Sequence, residues 1–198
     1  MDPAASLRIG CLVMAAGNAS RFGANKLAAE LDGRTLIERA LDAVPKGMFA
    51  AVCVASQYEG IEELAGKYGF AAIHNAHPDW GLSYTIRLGT QAMRACDGIL
   101  YLVADQPLLR RDSVRRIAEA WLRTPEKIAG ASHEGRRGNP NLFPARFFPE
   151  LLALEGDCGG NLVIKRHTED YLPVELAPEE LRDCDTPQEL AALRMQAE

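Results

Sequence analysis

The sequence lacks the long apolar stretches that a membrane protein needs. None of its apolar runs approaches the ~20 consecutive residues that span a bilayer as a helix. The segment before the first apolar run, residues 1–8, is short and has no apolar core of the kind that a secretory signal carries. Membrane insertion and secretion are therefore disfavoured, and we expect a cytoplasmic protein.

Cysteine pairs and histidine clusters are also missing. The five cysteines are an odd number, they are scattered, and no two of them form a C-x-x-C pair. Such a pattern favours reduced thiols over a disulfide framework. The four histidines show no spacing typical of metal ligands. The sequence therefore predicts a fold that needs neither a disulfide nor a structural metal.

Excess positive charge is absent as well. The net charge is −5, and Lys and Arg are not concentrated in any one part of the chain. A nucleic acid or an anionic membrane surface would need such a concentration, so neither is an expected partner. Any anion that the protein binds must instead meet a local basic site.

What the sequence does contain is an alternation of short apolar runs and amphipathic stretches. This alternation is typical of βαβ units, whose strands form a mostly parallel sheet covered by helices on both faces. We therefore predict the α/β class, as a Rossmann-like three-layer α/β/α sandwich. The predicted strands are 9–14, 50–55, 70–74 and 99–103, and the predicted helices are 35–44, 60–68, 83–95 and 112–123.

After Pro125 the alternation loosens, which predicts an insertion at about 125–170 that covers one end of the sheet. A last strand is expected at 171–176. Thr186, Pro187 and Glu189 then have the order of an N-cap, a first helical residue and the acidic partner of a capping box, which predicts a final helix. We predict one domain over 1–198. Within the insertion we expect strands at 128–132 and 141–143, a Gly/Arg/Asn/Pro loop between them, and helices at 146–154 and 160–167.

The segment 12–26 runs from an apolar strand into a loop of small residues that contains two cations, Arg21 and Lys26. Small residues such as Gly17 let backbone N–H groups approach phosphate oxygens, and the cations supply positive charge. The loop follows the carboxyl end of a strand, where open α/β sheets bind ligands. It matches neither G-x-G-x-x-G nor a Walker A lysine. The alternative is an ordinary turn with two solvated cations.

Acidic residues supply candidate metal ligands at two places. Asp105 follows the buried strand 99–103 and is therefore expected above the same edge of the sheet as the loop. Mg²⁺ takes oxygen ligands, usually one or two carboxylates together with phosphate oxygens and water. Asp185, before the last helix, is a candidate second ligand, and Asp183 is its rival. Both aspartates also suit a helix N-terminus through the helix dipole.

Two further segments have polar groups that suit ligand binding. Arg136 and Arg137 stand in the Gly/Arg/Asn/Pro segment, and guanidinium groups bind phosphate in a bidentate manner. This segment is a candidate site for an anionic acceptor, although exposed arginines are often only solvated. Ser83 and Thr85 open a predicted helix, where their hydroxyls either cap the helix or contact a base.

Several motifs in order resemble the CTP:molybdopterin cytidylyltransferase family of nucleotidyltransferases, and the resemblance covers nearly the whole chain. They begin with Ala15-Ala16-Gly17-x-x-Ser20-Arg21-x-Gly23-x-x-Lys26 and continue through Asn75, Trp80-Gly81-Leu82-Ser83-x-Thr85-x-x-x-Gly89, Asp105-Gln106-Pro107, Gly138-Asn139-Pro140, Gly156-Asp157-x-Gly159 and Asp185-Thr186-Pro187. The resemblance implies the nucleotide-diphospho-sugar transferase type of fold.

The resemblance also implies roles for particular residues. Nucleotide-binding residues would be Ala15, Ala16, Gly17, Arg21, Lys26, Ser83 and Thr85; catalytic residues Arg21, Lys26 and Asp105; Mg²⁺ ligands Asp105 and Asp185; and acceptor-binding residues Arg137, Gly138, Asn139 and Pro140. The Ala15-Ala16-Gly17 form resembles the cytidylyl branch of the family, whereas the guanylyl branch tends to have a second glycine in place of Ala16. Two departures, Asn139 where many relatives have His and Cys158 where Arg is common, affect the identity of the acceptor.

The implied function is transfer of CMP from CTP to the phosphate of molybdopterin, with release of diphosphate and with Mg²⁺, or alternatively Mn²⁺, as cofactor. A molybdoenzyme or its maturation factor would be a protein partner. Two alternatives stay open. The first is a GTP- or CTP-dependent transferase that acts on a sugar phosphate or another small phosphate. The second is a non-catalytic protein that binds molybdopterin and delivers it.

Overall fold

A computed structural model describes residues 7–17 and 25–195 of the chain. Its main feature is a seven-stranded sheet with the strand order β5-β4-β1-β6-β8-β7-β9, and a small hairpin forms a second sheet, β2-β3. The strands are β1 (Ile9–Ala15), β2 (Glu30–Leu31), β3 (Arg34–Thr35), β4 (Ala51–Ser56), β5 (Ala71–His74), β6 (Gly98–Val103), β7 (Ile128–His133), β8 (Arg136–Pro144) and β9 (Tyr171–Glu175).

Helices cover both faces of the sheet. The α-helices are α1 (Leu36–Asp42), α2 (Glu59–Lys67), α3 (Leu82–Ala92), α4 (Arg111–Arg123), α5 (Phe148–Leu152), α6 (Asn161–Arg166) and α7 (Pro187–Met195). Short 3₁₀ helices are formed by Lys26–Ala28, Pro78–Trp80, Ala145–Phe147, Thr168–Asp170 and Pro178–Leu181. No helix in the described ranges has the length and apolarity needed to cross a membrane.

Alternate side chains of the strands separate two apolar clusters. Val13 of β1 belongs to the cluster that is completed by α1, α2, α4 and α7. Its neighbour Leu12 points to the opposite face and belongs to the cluster with α3, α5 and α6. This division follows from the period of two in a strand, which sends successive side chains to opposite faces. The prediction of a three-layer α/β/α sandwich is confirmed.

Most pairs of neighbouring strands are parallel. β1 is parallel to both β4 and β6, and β4 is parallel to β5. β8 runs antiparallel to both of its neighbours, β6 and β7, whereas β9 is parallel to β7. The mostly parallel sheet was predicted from the alternation of apolar runs and helices, but the reversed strand β8 was not.

The prediction of a loop between residues 132 and 141 was wrong. A two-residue turn, Glu134-Gly135, joins β7 directly to β8, and both residues have positive φ values, 47° and 78°. Such φ values are those of a type I′ turn, whose twist matches that of the two strands that it joins. Arg136 and Arg137 therefore pair with β7 as part of a hairpin. The strand predicted at 128–132 is β7, and the strand predicted at 141–143 is the last part of the longer strand β8.

The last helix has the predicted N-terminus. Glu189 N donates to Thr186 Oγ1 at 3.2 Å, and Thr186 N donates to Glu189 Oε2 at 2.9 Å, so the capping box is confirmed. The same Glu189 oxygen accepts from Asp185 N at 2.7 Å. Because these bonds hold the backbone just before α7, they also hold the position of Asp185.

Candidate active site

A cavity of about 510 Å³ opens at the edge of the sheet where β1 and β6 end. Residues that follow these two strands, Gly17 and Asp105, both line it. The parallel pairing of β1 with β6 brings the two carboxyl ends side by side. A cavity of the size that small-molecule ligands occupy thus lies at the edge where the sequence predicts a ligand site.

Lys26 lies on the wall of this cavity and binds two carboxylates. Its Nζ donates to Asp105 Oδ2 at 2.7 Å and to Asp185 Oδ1 at 2.8 Å, and only 12% of the lysine side chain is exposed. Burial lowers the pKa of the Lys26 ammonium, but the charges and hydrogen bonds of Asp105 and Asp185 outweigh it, so the pKa lies above the ordinary lysine value. Lys26 is therefore a fixed positive charge at neutral pH.

The three charged groups are brought together by backbone contacts between distant segments. Lys26 begins a 3₁₀ helix whose N-cap, Asn25, accepts a hydrogen bond from Leu27 N. Cys184 N donates to the carbonyl oxygen of Asp105 at 2.8 Å, which ties the segment before α7 to the segment after β6. In the sequence, Asp105 and Asp185 are 79 and 159 residues away from Lys26.

The second oxygen of Asp105 has no hydrogen-bond partner among the described residues, although it is buried. A buried carboxylate oxygen without a partner is costly unless a cation or a donor reaches it. Asp105 and Asp185 also already share one cation, the Lys26 ammonium. A pair of carboxylates with a free oxygen matches the ligands that Mg²⁺ and Mn²⁺ prefer, so the residues present fit a divalent ion.

Asp183 lies near this group, but it takes no part in the two ion pairs of Lys26. Burial of its carboxyl and the nearby charge of Asp105 raise the pKa of Asp183 to about 6, while a hydrogen bond from Gln106 opposes the shift. Its contacts thus differ from those of Asp185, which directly binds the shared ammonium.

The polar wall opposite Lys26 comes from the start of α3. Thr85 lines the cavity, and its Oγ1 accepts a hydrogen bond of 3.0 Å from Asn75 Nδ2. Ser83 is fully buried, does not line the cavity, and its Oγ has no partner among the described residues. Of the two hydroxyls singled out in the sequence, the structure therefore brings only Thr85 to the cavity.

The residues of the first motif do not all reach the cavity. Ala16 and Gly17 line the cavity, whereas Ala15 is the buried last residue of β1. Gln57 Nε2 donates to the carbonyl oxygen of Ala16 at 3.0 Å, which braces the chain where it leaves the sheet. Arg21, predicted to hold phosphates, lies outside the described residues.

A smaller cavity of about 180 Å³ adjoins the first, since Met14, Leu82 and Val103 line both. Asn139, one of the predicted acceptor residues, lines the smaller cavity together with Asn141.

The other predicted acceptor residues do not line the smaller cavity. Arg137 is exposed, and its guanidinium lies 5.7 Å from the centre of the Tyr171 ring. Gly138 packs near Leu181, and Pro140 is buried in β8.

Several polar or small residues of the cavity wall had no predicted role. Asp79, Asp157 and Gly81 line the larger cavity, and Asp157 Oδ1 accepts a hydrogen bond of 3.4 Å from Leu82 N. A Cβ on Gly81 would lie 2.5 Å from the Gly156 carbonyl oxygen, so the two glycine segments touch here. The only signal for Asp157 and Gly81 was that they belong to recognisable motifs; Asp79 had none.

The fold and the charged cavity at the ends of β1 and β6 define a nucleotidyltransferase. The chain matches the MobA-like NTP transferase domain over residues 11–171, and it belongs to that family. A curated relative, the purine catabolism protein PucB of Bacillus subtilis (strain 168), is 28% identical in an alignment of 194 residues that covers 91% of this chain and 93% of PucB.

Solved structures share the fold over nearly the whole chain. A nucleotidyl transferase from Methanothermobacter thermautotroptrophicus has a TM-score of 0.77 at 23% identity and covers 96% of this chain and 97% of its own. Rv0371C of Mycobacterium tuberculosis H37Rv, in complex with manganese, has a TM-score of 0.76 at 20% identity, with coverage of 95% and 98%. Molybdopterin-guanine dinucleotide biosynthesis protein A from Archaeoglobus fulgidus has a TM-score of 0.67 at 14% identity, with coverage of 95% and 98%.

Proposed function

We propose that this nucleotidyltransferase transfers CMP from CTP to the phosphate of molybdopterin or a closely related acceptor and releases diphosphate. The observation that carries the proposal is the Lys26 ammonium held between Asp105 and Asp185 on the wall of the 510 Å³ cavity. A triphosphate needs positive charge for its phosphates and carboxylates for the metal ion that accompanies it, and this cluster supplies both.

In the proposed reaction, an oxygen of the acceptor phosphate attacks the α-phosphorus of CTP. The new bond joins that oxygen to the α-phosphorus, the bond between the α-phosphorus and the bridging oxygen breaks, and diphosphate leaves with the electron pair. No protein nucleophile is needed, because transfer of this kind is catalysed mainly by positioning and by stabilisation of charge. Lys26, with Arg21 as the resemblance implies, stabilises the charge on the leaving diphosphate.

Asp105 and Asp185 are the proposed ligands of the divalent ion. Asp105 has the buried oxygen without a described partner, and Asp185 shares a cation with it, which supports Asp185 over Asp183 as the second ligand. A bound Mg²⁺ or Mn²⁺ would supply positive charge to the phosphates. Lys26 uses two of its three N–H donors on the two carboxylates, which leaves the third for a phosphate oxygen of the nucleotide.

The base is proposed to bind near Ala16 and Thr85, which lie on the cavity wall. Ala16 favours CTP over GTP, because alanine at this position resembles the cytidylyl branch of the family. The Archaeoglobus neighbour is named as a molybdopterin-guanine dinucleotide biosynthesis protein, so GTP is the alternative nucleotide that an experiment must test.

The acceptor is proposed to enter the adjoining 180 Å³ cavity, where Asn139 lies. The cavity is lined by apolar side chains together with amides, and it shares three wall residues with the larger cavity. Such a lining suits a flat polar ring system, and Arg137, two residues before Asn139 in β8, is the proposed partner for an anionic group of the acceptor. The whole chain, residues 1–198, would then act as one catalytic domain.

Diphosphate release tests the proposal. The purified protein is given each of the four ribonucleoside triphosphates with Mg²⁺ and with molybdopterin, a sugar phosphate, or no acceptor. We expect diphosphate only with CTP and molybdopterin, and none after the metal has been removed with EDTA. Release with another pair redirects the assignment to that pair. Tight binding of molybdopterin without release under any condition identifies a delivery protein instead.

A further inference from the structure

Arg39 of α1 binds two backbone segments that lead to the charged cluster. Its Nε donates to the carbonyl oxygen of Pro107 at 2.9 Å, and its Nη1 donates to the carbonyl oxygen of Leu31 at 3.1 Å. Nη1 also lies 3.5 Å from Asp32 Oδ2. The arginine side chain is 24% exposed, and Arg39 does not line the larger cavity. It therefore acts on other parts of the protein and does not reach a ligand in that cavity.

Each of the two carbonyl groups is close in sequence to a charged residue of the cavity. Pro107 is the second residue after Asp105, whose carboxylate binds the Lys26 ammonium at 2.7 Å. Leu31 is the last residue of β2, the strand that follows the 3₁₀ helix beginning at Lys26. The guanidinium of Arg39 thus joins the segment that carries Asp105 to the segment that carries Lys26.

The shape of the arginine side chain suits this connection. A guanidinium group is planar and its N–H donors point in fixed directions, so Nε and Nη1 can each serve a different carbonyl oxygen. A lysine ammonium is a single point charge on a flexible chain and has no such fixed pair of donors. Asp32 lies in the turn between β2 and β3, with a φ of 52°, and adds a charge contact to Nη1 of Arg39. The hairpin that follows Lys26 is therefore held against the segment after Asp105.

We propose that Arg39 is a positioning residue that holds the Lys26 ammonium and the Asp105 carboxylate at their observed separation. The inference deepens the proposed function and rests on it, since both groups belong to the proposed machinery for transfer. Stabilisation of charge depends on where the charged groups lie, and a displacement of about 1 Å caused by a distant residue can cost ~10²-fold in rate. Arg39 thus acts on turnover through Lys26 and Asp105, without contact with the nucleotide.

Triple-mutant cycles test the positioning role without any substrate. The coupling between Lys26 and Asp105 is obtained from the unfolding equilibria of the wild type, Lys26→Met, Asp105→Asn and the double variant, and it is measured again with Arg39→Gln in all four proteins. A residue that only stabilises the fold changes all four unfolding constants by one factor and leaves the coupling unchanged. Because Arg39 holds the two partners together, we expect Arg39→Gln to reduce the coupling factor at least ~3-fold.

Two further variants separate the paired donors from positive charge and from general stability. Arg39→Lys keeps the charge beside Asp32 but lacks the fixed pair of donors, so it should reduce the coupling as Arg39→Gln does. Arg34→Gln is the matched control, because Arg34 belongs to the same hairpin and binds Asp42 and Tyr68. It should leave the coupling unchanged. The melting temperature of each variant checks that it is folded.

Turnover connects the position of the pair with the proposed reaction. With CTP, molybdopterin and Mg²⁺, we expect Arg39→Gln to lower kcat at least ~10-fold and to change KM for CTP less than ~3-fold, because Lys26 stabilises charge that develops on the leaving group. Adding Arg39→Gln to Lys26→Ala should lower kcat little further, because residues that act as a unit are not additive. An equal loss of turnover with and without Lys26 overturns the route through the lysine.

The outcomes separate this inference from the function on which it rests. An unchanged coupling in folded Arg39→Gln and Arg39→Lys overturns the positioning role, whether or not the wild-type protein transfers CMP. An equal loss of coupling in Arg34→Gln also overturns it, because the effect then belongs to the hairpin as a whole. If the coupling falls as expected but the wild-type protein releases no diphosphate with any acceptor, the transferase proposal fails, while Arg39 still holds Lys26 and Asp105 together.

Discussion

At the scale of single residues, the Lys26 ammonium lies 2.7 Å from one carboxylate and 2.8 Å from another, those of Asp105 and Asp185. The two bonds differ in surroundings, since the Asp105 side chain is 25% exposed and that of Asp185 is 38% exposed. Electrostatic interactions are stronger where water is excluded. The contact between Lys26 and Asp105 therefore contributes more to the field inside the cavity than an exposed ion pair would.

Removing either member of that contact should reduce turnover. We expect Lys26→Ala and Asp105→Ala each to lower the turnover number with CTP by at least ~10²-fold, as for the loss of one electrostatic group in other active sites. Steady-state diphosphate release measures the effect. Lys67→Ala, which removes an exposed lysine at the end of α2, is the matched control and should behave as wild type. Wild-type turnover in a folded Lys26→Ala variant would exclude the lysine from the mechanism.

At the scale of elements, helix α3 and strand β1 together shape the cavity. Gly89 of α3 faces Leu12 of β1, and a Cβ on Gly89 would lie 2.5 Å from Leu12 Cδ1. The absence of a side chain at Gly89 therefore sets how closely α3 approaches the sheet. The same helix carries Thr85, so this packing also sets the distance of that hydroxyl from the end of β1.

Gly89→Ala should accordingly be destabilising. Overpacking of a tight contact typically costs ~1–3 kcal/mol, and we expect a loss of unfolding free energy in that range together with a weaker affinity for CTP. Gly66→Ala is the matched control, because the corresponding Cβ in helix α2 would meet nothing within 4 Å. It should leave stability unchanged or raise it by up to ~1 kcal/mol, since alanine favours a helix. Denaturant unfolding of both variants compares the two, and equal effects would contradict the close contact.

At the scale of the whole molecule, ion pairs join segments at the far edge of the sheet. Asp170, just before β9, binds Arg146 at 2.9 Å and Lys127 at 3.5 Å, and its side chain is 18% exposed. Partial burial raises the pKa of the Asp170 carboxyl, but the hydrogen bonds and charges of Arg146 and Lys127 outweigh it, so the pKa lies below the ordinary value. The two ion pairs connect the residue before β7, the residues after β8 and the start of β9.

This lowered pKa predicts a pH dependence of stability. The folded protein binds the Asp170 proton more weakly than the unfolded chain does, so the stabilisation is present above about pH 4 and is lost as the pH falls through the folded value. Asp170→Asn should lower the melting temperature by ~2–4 °C at pH 7, which corresponds to about 1 kcal/mol, and this loss should shrink as the pH falls through the folded pKa of Asp170. Glu169→Gln, at the exposed neighbouring residue, should show no such difference. A pH-independent loss in Asp170→Asn would contradict this interpretation.

Sequence alone determined the α/β class, the mostly parallel sheet and the position of Lys26 and Asp105 at the edge of the sheet where the cavity opens. These properties depend on local patterns: apolar runs become buried strands, helices follow them, and the residue after a central parallel strand must lie at the carboxyl edge. The capping box at Thr186 and Glu189 was equally local and was also predicted. The motifs further predicted the family.

Tertiary structure decided the rest. The reversal of β8 depends on a two-residue turn whose φ values the sequence did not reveal, and its place beside β6 depends on pairing with a strand about 40 residues away. The contact of Lys26 with Asp185 joins groups 159 residues apart, and the difference between Thr85, which lines the cavity, and Ser83, which does not, depends on how α3 is rotated against the sheet. Such features arise from long-range packing, in which a residue's neighbours in space are set by the whole chain and not by its neighbours in sequence.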